Sequence, residues 1–167
     1  MDINDSIEIF IDGRGKNKGR SPDERYASFD YCYNYFYSFY KENKLNELSN
    51  TANLELSCLH LSFYLASWGM LRGSSFLLEK SIKSYTKLII AISKINPKLW
   101  EIDVDNYTYE NIQLLLGSKQ VIIDALGEKN NPSDTLVTKI MLGVFANVPA
   151  FDQYVRKSLK INALNEK

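Results

Sequence analysis

Arg72 makes the hardest chemical demand in this sequence. It stands in the apolar run SFYLASWGMLRGSS, residues 62–75, between Gly69 and Gly73 and four residues after Trp68. A guanidinium is costly to bury unpaired, so it must reach water or an acid. Trp68 lies one helical turn back and offers a stacking face worth about 0.5–2 kcal/mol, which leaves the charge uncompensated. The candidate acids lie in two segments that echo each other, SFDY at 28–31 and AFDQY at 150–154. In each, an aspartate, Asp30 or Asp152, follows a phenylalanine on an otherwise apolar helix. A bridge from Arg72 to either would tie the central helix to the first or the last. The Tyr31 and Tyr154 hydroxyls could satisfy what remains. The constellation reads as a structural polar knot, or as the polar floor of an aromatic-lined pocket for an anionic or planar ligand. Gly69 and Gly73 would let a backbone or a ligand approach closely.

A second candidate is the glycine-rich segment DGRGKNKGR, residues 12–20. Arg14, Lys16, Lys18 and Arg20 lead to an expected helix start at Ser21, where free amides favour an anion. The order of a phosphate-binding loop is missing, and Asp23 and Glu24 oppose an anion there. His60, the single histidine, falls on a core-facing helix and reads as a core side chain or as a general base. No arginine precedes it in its helix, which lowers the expectation of a ribonuclease. One histidine and two separated cysteines make no zinc-type site, and no metal or cofactor is expected. Arg156, Lys157 and Lys160 read as cations near a helix C-terminus.

Composition sets the frame for these residues. The chain has 167 residues, a net charge of zero and 45% hydrophobic residues, including 8 phenylalanines, 11 tyrosines and 2 tryptophans. That is enough for one domain with a sizeable core. Zero net charge gives no global field toward nucleic acid or an anionic membrane. Cys32 and Cys58 lie in apolar periodic segments and read as buried free thiols. The acidic start MDINDSIE does not resemble a signal peptide, so a reducing cytoplasm is expected. His60, Arg72 and several serines inside 56–78 argue against a membrane span.

The elements that must position these side chains are helices. Residues 1–12 alternate weakly and predict a short strand or irregular arm, and residues 1–20 together read as an arm and basic loop outside a helical domain at 21–167. SPDE at 21–24 predicts a capping box opening a helix over 22–44. Tyr26, Phe29, Tyr33, Phe36 and Tyr40 form one face of it, and Tyr31, Tyr35 and Phe39 a second stripe. Residues 51–95 are periodic nearly throughout. As one helix they would run about 68 Å, against a radius of gyration of about 15 Å for a domain of this size. A break is therefore expected at GMLRGSS, with Gly73 ending one helix and Ser74 or Ser75 capping the next. NPKLW predicts one helical turn. Further helices are predicted over 108–126 and 132–146, with a last one from Pro149. The fold class is an all-α, single-domain bundle of five to six helices.

The strings FYLASWGMLRGSSFLL and TKIMLGVFANVPAFDQY resemble those of uncharacterised bacterial helical proteins, over residues 26–90 and 135–160. The resemblance implies a bacterial or phage cytosolic protein and brings no catalytic residues with it. The expected function is that of a helical binding protein, leaning away from an enzyme. It would act through a protein partner, self-association as a homo-oligomer, or a small ligand held near Arg72. The alternative is a nucleic-acid-acting protein, in the manner of phage defence, that contacts phosphates through residues 14–20.

Overall fold

The computed structural model describes residues 3–13 and 21–159, and within them the chain forms seven α-helices and no strand. The helices are α1 (Ile3–Glu8), α2 (Ala27–Lys41), α3 (Leu54–Ser67), α4 (Thr86–Ile92), α5 (Tyr109–Leu126), α6 (Asp134–Phe145) and α7 (Gln153–Ser158). The bundle is all-α and single-domain, as expected. The first described segment differs from the sequence reading. It is the helix α1 followed by a π-turn at Ile9–Gly13, not a strand or an irregular arm. The basic segment 14–20, with Arg14, Lys16, Lys18 and Arg20, lies outside the described residues, as does Lys160.

Side-chain capping sets the starts of three of the helices. Thr108, Ser133 and Asp152 accept backbone N–H bonds at the starts of α5, α6 and α7. Asn96 does the same for the single turn Pro97–Glu101. The long periodic stretch breaks where expected, but at Gly69 rather than Gly73. Gly69 takes φ +75°, its N–H reaches the Ala66 carbonyl, and the Met70 N–H reaches the Leu65 carbonyl. This is the left-handed stop of a helix. Ser75 then caps the short turn Phe76–Glu79. At Ser21 the hydroxyl accepts the Asp23 N–H at 3.4 Å, but no helix opens there. Ser21 instead closes a turn through its carbonyl to the Glu24 N–H, and α2 starts later, at Ala27.

Helix α2 packs on α3 and α6, α3 on α4 and α6, and α5 on α4 and α6. Phe36, Leu61, Tyr64, Leu65, Leu88, Ile122, Ile140 and Val144 are fully buried among them. Along α2 the aromatic face becomes a run of stacked rings. Phe29 lies on Tyr33 at 5.9 Å, Tyr33 on Tyr37 at 5.2 Å, and Tyr40 on Trp100 at 5.4 Å. Offset stacking of this kind adds about 0.5–1.5 kcal/mol per pair beyond burial. The second stripe divides. The Tyr35 hydroxyl sits 2.9 Å from that of Ser57 on α3, while Tyr31 stays exposed.

Helices α3 and α6 meet at Gly143. A Cβ on Gly143 would fall within 3.0 Å of three atoms of the Tyr64 ring. The Tyr64 hydroxyl donates to the Lys139 carbonyl at 3.1 Å. Gly143→Ala is therefore expected to destabilise the protein by about 1–3 kcal/mol through overpacking. Gly117, inside α5, has nothing within 4 Å of the same built atom. Gly117→Ala should stabilise by about 0.5–1 kcal/mol. Urea unfolding of the two variants beside the wild type measures both, and equal effects would remove Gly143 as a packing constraint.

Candidate functional site

Trp68 is the residue around which the polar groups gather. It ends α3, so its carbonyl has no partner within the helix. The Lys139 ammonium fills that place, donating to the Trp68 carbonyl at 2.7 Å and lying 5.9 Å from the centre of the indole ring. The indole N–H donates to the Ser28 hydroxyl at 3.2 Å, and that hydroxyl donates to the Arg25 carbonyl at 2.6 Å. Tyr26 and Tyr64 meet the Trp68 ring at 5.8 Å each.

Lys139 is only 6% exposed. An ammonium has three donors, and the described residues offer this one the single Trp68 acceptor and no carboxylate in ion-pair contact. Asp152 acts on it only through space, because its carboxylate already caps α7 with bonds to the Tyr154 and Val155 amides. Arg72 and Arg25 add like charge nearby. Burial first, and then the two arginines against Asp152, hold the Lys139 pKa below the ordinary lysine value.

Arg72 is not where its spacing from Trp68 suggested. It is exposed and belongs to the turn after α3. Among the described residues it forms no bridge to Asp30 or Asp152. Because α3 stops at Gly69, the i to i+4 relation that would stack Arg72 on Trp68 no longer holds. The guanidinium lies over Gly69 instead, 3.1 Å from where a Cβ would be. The cation on Trp68 is Lys139. Arg72 does border an open cleft of about 420 Å³, with Gly69, Met70, Ser75, Phe76, Asn130, Asn131, Ser133 and Leu136.

The remaining candidates separate. Trp68 contacts Lys139, and Arg72 and Asp152 act on it through space. Asp30 and Tyr31 face another hollow, shared with Ile11 and Ala27, and Tyr154 is exposed on α7. His60 is half-buried and stacked on Tyr35 at 4.0 Å, and burial lowers its pKa. The Tyr31 backbone acts weakly the other way, and no carboxylate among the described residues contributes to its titration. Among the described residues no group of three His, Cys, Asp or Glu side chains could hold a metal, and no helix is long and apolar enough to cross a membrane. Cys32 and Cys58 are free and buried.

Sequence reasoning missed Lys139. The signal was present, since TKIMLGVF sets one lysine in an otherwise apolar helix. The burial argument applied to Arg72 applies to it with more force.

Lys139 has a pH signature. Its folded pKa is depressed, so the native state gives up this proton before the unfolded chain does. Between the folded value and the ordinary one the unfolded state binds more protons, and rising pH stabilises the fold. Tyr64 and Tyr85 act in the opposite sense at higher pH, because burial raises both phenols. Lys139→Met isolates the lysine. We expect it to match or exceed wild-type stability at neutral pH, with any advantage shrinking as pH rises toward the ordinary lysine value. Urea titrations at stepped pH measure this, and a large loss at neutral pH would make the ammonium a structural requirement.

No family model, curated protein or solved structure matches this chain.

Proposed function

We propose that this is a binding protein whose ligand is a small anion, a phosphate or a carboxylate on a partly apolar body, held in the cleft at Arg72. The observation that carries the reading is the Arg72 guanidinium at the cleft edge, unbridged to Asp30 or Asp152 among the described residues, together with the buried Lys139 ammonium, which does not line the cleft but feels Arg72 through space and has a single backbone acceptor. An uncompensated buried cation is expensive in a purely structural role. An anion nearby would supply the missing charge, and Arg72 at the cleft edge would meet it with a planar fork of donors.

The cleft suits that ligand. Its volume of about 420 Å³ lies in the usual range for small-molecule sites. Asn130, Asn131, Ser74 and Ser75 give polar contacts, while Met70, Phe76 and Leu136 give an apolar side. Ser133, on the rim, caps α6 and brings the positive end of that helix toward the cleft. Asp134 in the first turn weakens that contribution.

Thermal shift and calorimetry with inorganic phosphate, adenosine monophosphate and benzoate test the reading, with a single-stranded oligonucleotide as a separate arm. A bound ligand at a hundred times its Kd should stabilise the fold by about 2.7 kcal/mol. Arg72→Met should leave the fold intact and weaken binding at least tenfold, as expected when a charge-assisted bond is lost. Affinity should fall as pH rises and Lys139 loses its proton. If no small anion binds while the oligonucleotide does, with a steep salt dependence, the nucleic-acid reading through residues 14–20 replaces this one. Anion binding unchanged in both Arg72→Met and Lys139→Met would remove the cleft as the site.

A further inference from the structure

Helix α3 is apolar on all sides. Its inner face fills the core, and its outer face carries Leu56, Leu59, His60 and Phe63 at helical spacing. Phe63 is 66% exposed, Leu56 47% and Leu59 43%, and Tyr31 on neighbouring α2 is 59% exposed. These side chains are contiguous. With Ser28 and His60 they line a hollow of about 250 Å³ between α2 and α3 that no charged side chain enters. Tyr31 also borders the next hollow, where Ile11 is 51% exposed.

We propose that this face binds a second copy of the same chain in a two-fold dimer. Three observations select that occupant. The first is shape. One face carries both a projecting ring, Phe63, and an apolar hollow beside it. A two-fold axis sets each patch against its own copy, so the Phe63 of one protomer can enter the hollow of the other. The second is area. Tyr31, Leu56, Leu59, Phe63 and Ile11 together expose roughly 400–500 Å² of side chain, within the range of about 300–600 Å² for a monomer's largest, often functional, apolar patch. A stable interface covers about 800 Å² per partner, of which about 65% is apolar in homodimers, or roughly 500 Å². The patch is of the size a dimer needs. The third is charge. The hollow at Phe63 holds no carboxylate, lysine or arginine, burial favours the neutral form of its His60, and Asp30 lies only at the neighbouring hollow, so little charge opposes a second copy.

The inference is independent of the anion cleft. Sedimentation velocity over a concentration series tests it, with thermal unfolding to confirm that each variant is folded. The wild type should be a dimer that dissociates on dilution. Phe63→Asp should weaken the dimer by roughly 30-fold or more, the level of a central interface residue. The milder Phe63→Ser should weaken it in the same direction. Tyr109→Asp alters a 74% exposed aromatic at the start of α5 and should leave the dimer unchanged. A wild type that stays monomeric at its highest soluble concentration overturns the inference. So does a dimer that persists unchanged in folded Phe63→Asp, since another surface would then hold it. A monomer whose Phe63 face binds another protein also overturns it.

Discussion

The contact between Tyr64 and Gly143 is the constraint on which the rest of this structure depends. The ring lies where any side chain at residue 143 would have to be, so glycine is what lets α3 and α6 meet in this way. Tyr64 and Trp68 are four residues apart and share a face of α3. Lys139 and Gly143 are four apart and share a face of α6. With Tyr64 set on Gly143, Trp68 falls opposite Lys139, and the two helices run antiparallel. The Tyr64 hydroxyl on the Lys139 carbonyl and the Lys139 ammonium on the Trp68 carbonyl fix this register from both ends. A single glycine thus decides where a buried positive charge sits.

That charge has a cost which local packing does not offset. Lys139 uses its long aliphatic stem to reach the open carbonyl at the end of α3, in the manner of a cation near a helix C-terminus. The bond accounts for one donor of three. The nearest aspartate is committed to capping α7, and both nearby arginines repel the ammonium. A methionine of similar length would fill the same space without desolvating a charge. Sites that keep an unfavourable group are where function most often offsets stability.

Much of the fold is legible in the sequence because local rules and tertiary packing agree. Thr108, Ser133 and Asn96 each start an element where cap chemistry predicts, and the span of 51–95 is too long to be one straight helix. The sequence misleads where one rule is extended past its range. Ser21 has the residues of a capping box, but Pro22 to Arg25 form a turn and α2 begins at Ala27. Arg72 is a full turn beyond Trp68 only if the helix continues. Gly69 enters the left-handed region first, and the guanidinium swings to the surface over the glycine. Of the expected partners, Asp30 lies at a hollow beside α2 and Asp152 caps α7. Lys139 was harder to see, because a lysine in a helix is usually solvated. Tertiary packing turns it inward, because α6 is enclosed by α2, α3 and α5.

Helix α3 carries both features that point to function, and its geometry keeps them apart. Phe63 and Trp68 are five residues apart, which places them roughly 140° from each other around the helix axis. One side of α3 therefore closes on α6 and ends at the cleft, while another stays open beside α2. This explains why α3 has almost no polar face: each side has an apolar surface to meet, in the core or outside it. It also means that a partner seated on Tyr31 and Phe63 leaves the Arg72 turn open to solvent. Ser28 on α2 belongs to both regions: it lines the hollow at Phe63, and its hydroxyl accepts the Trp68 indole N–H and donates to the Arg25 carbonyl. A partner that shifted α2 at Ser28 would therefore act on the Trp68 end of α3, while Tyr35, His60 and Tyr64 stay held by Ser57 and by the Lys139 carbonyl.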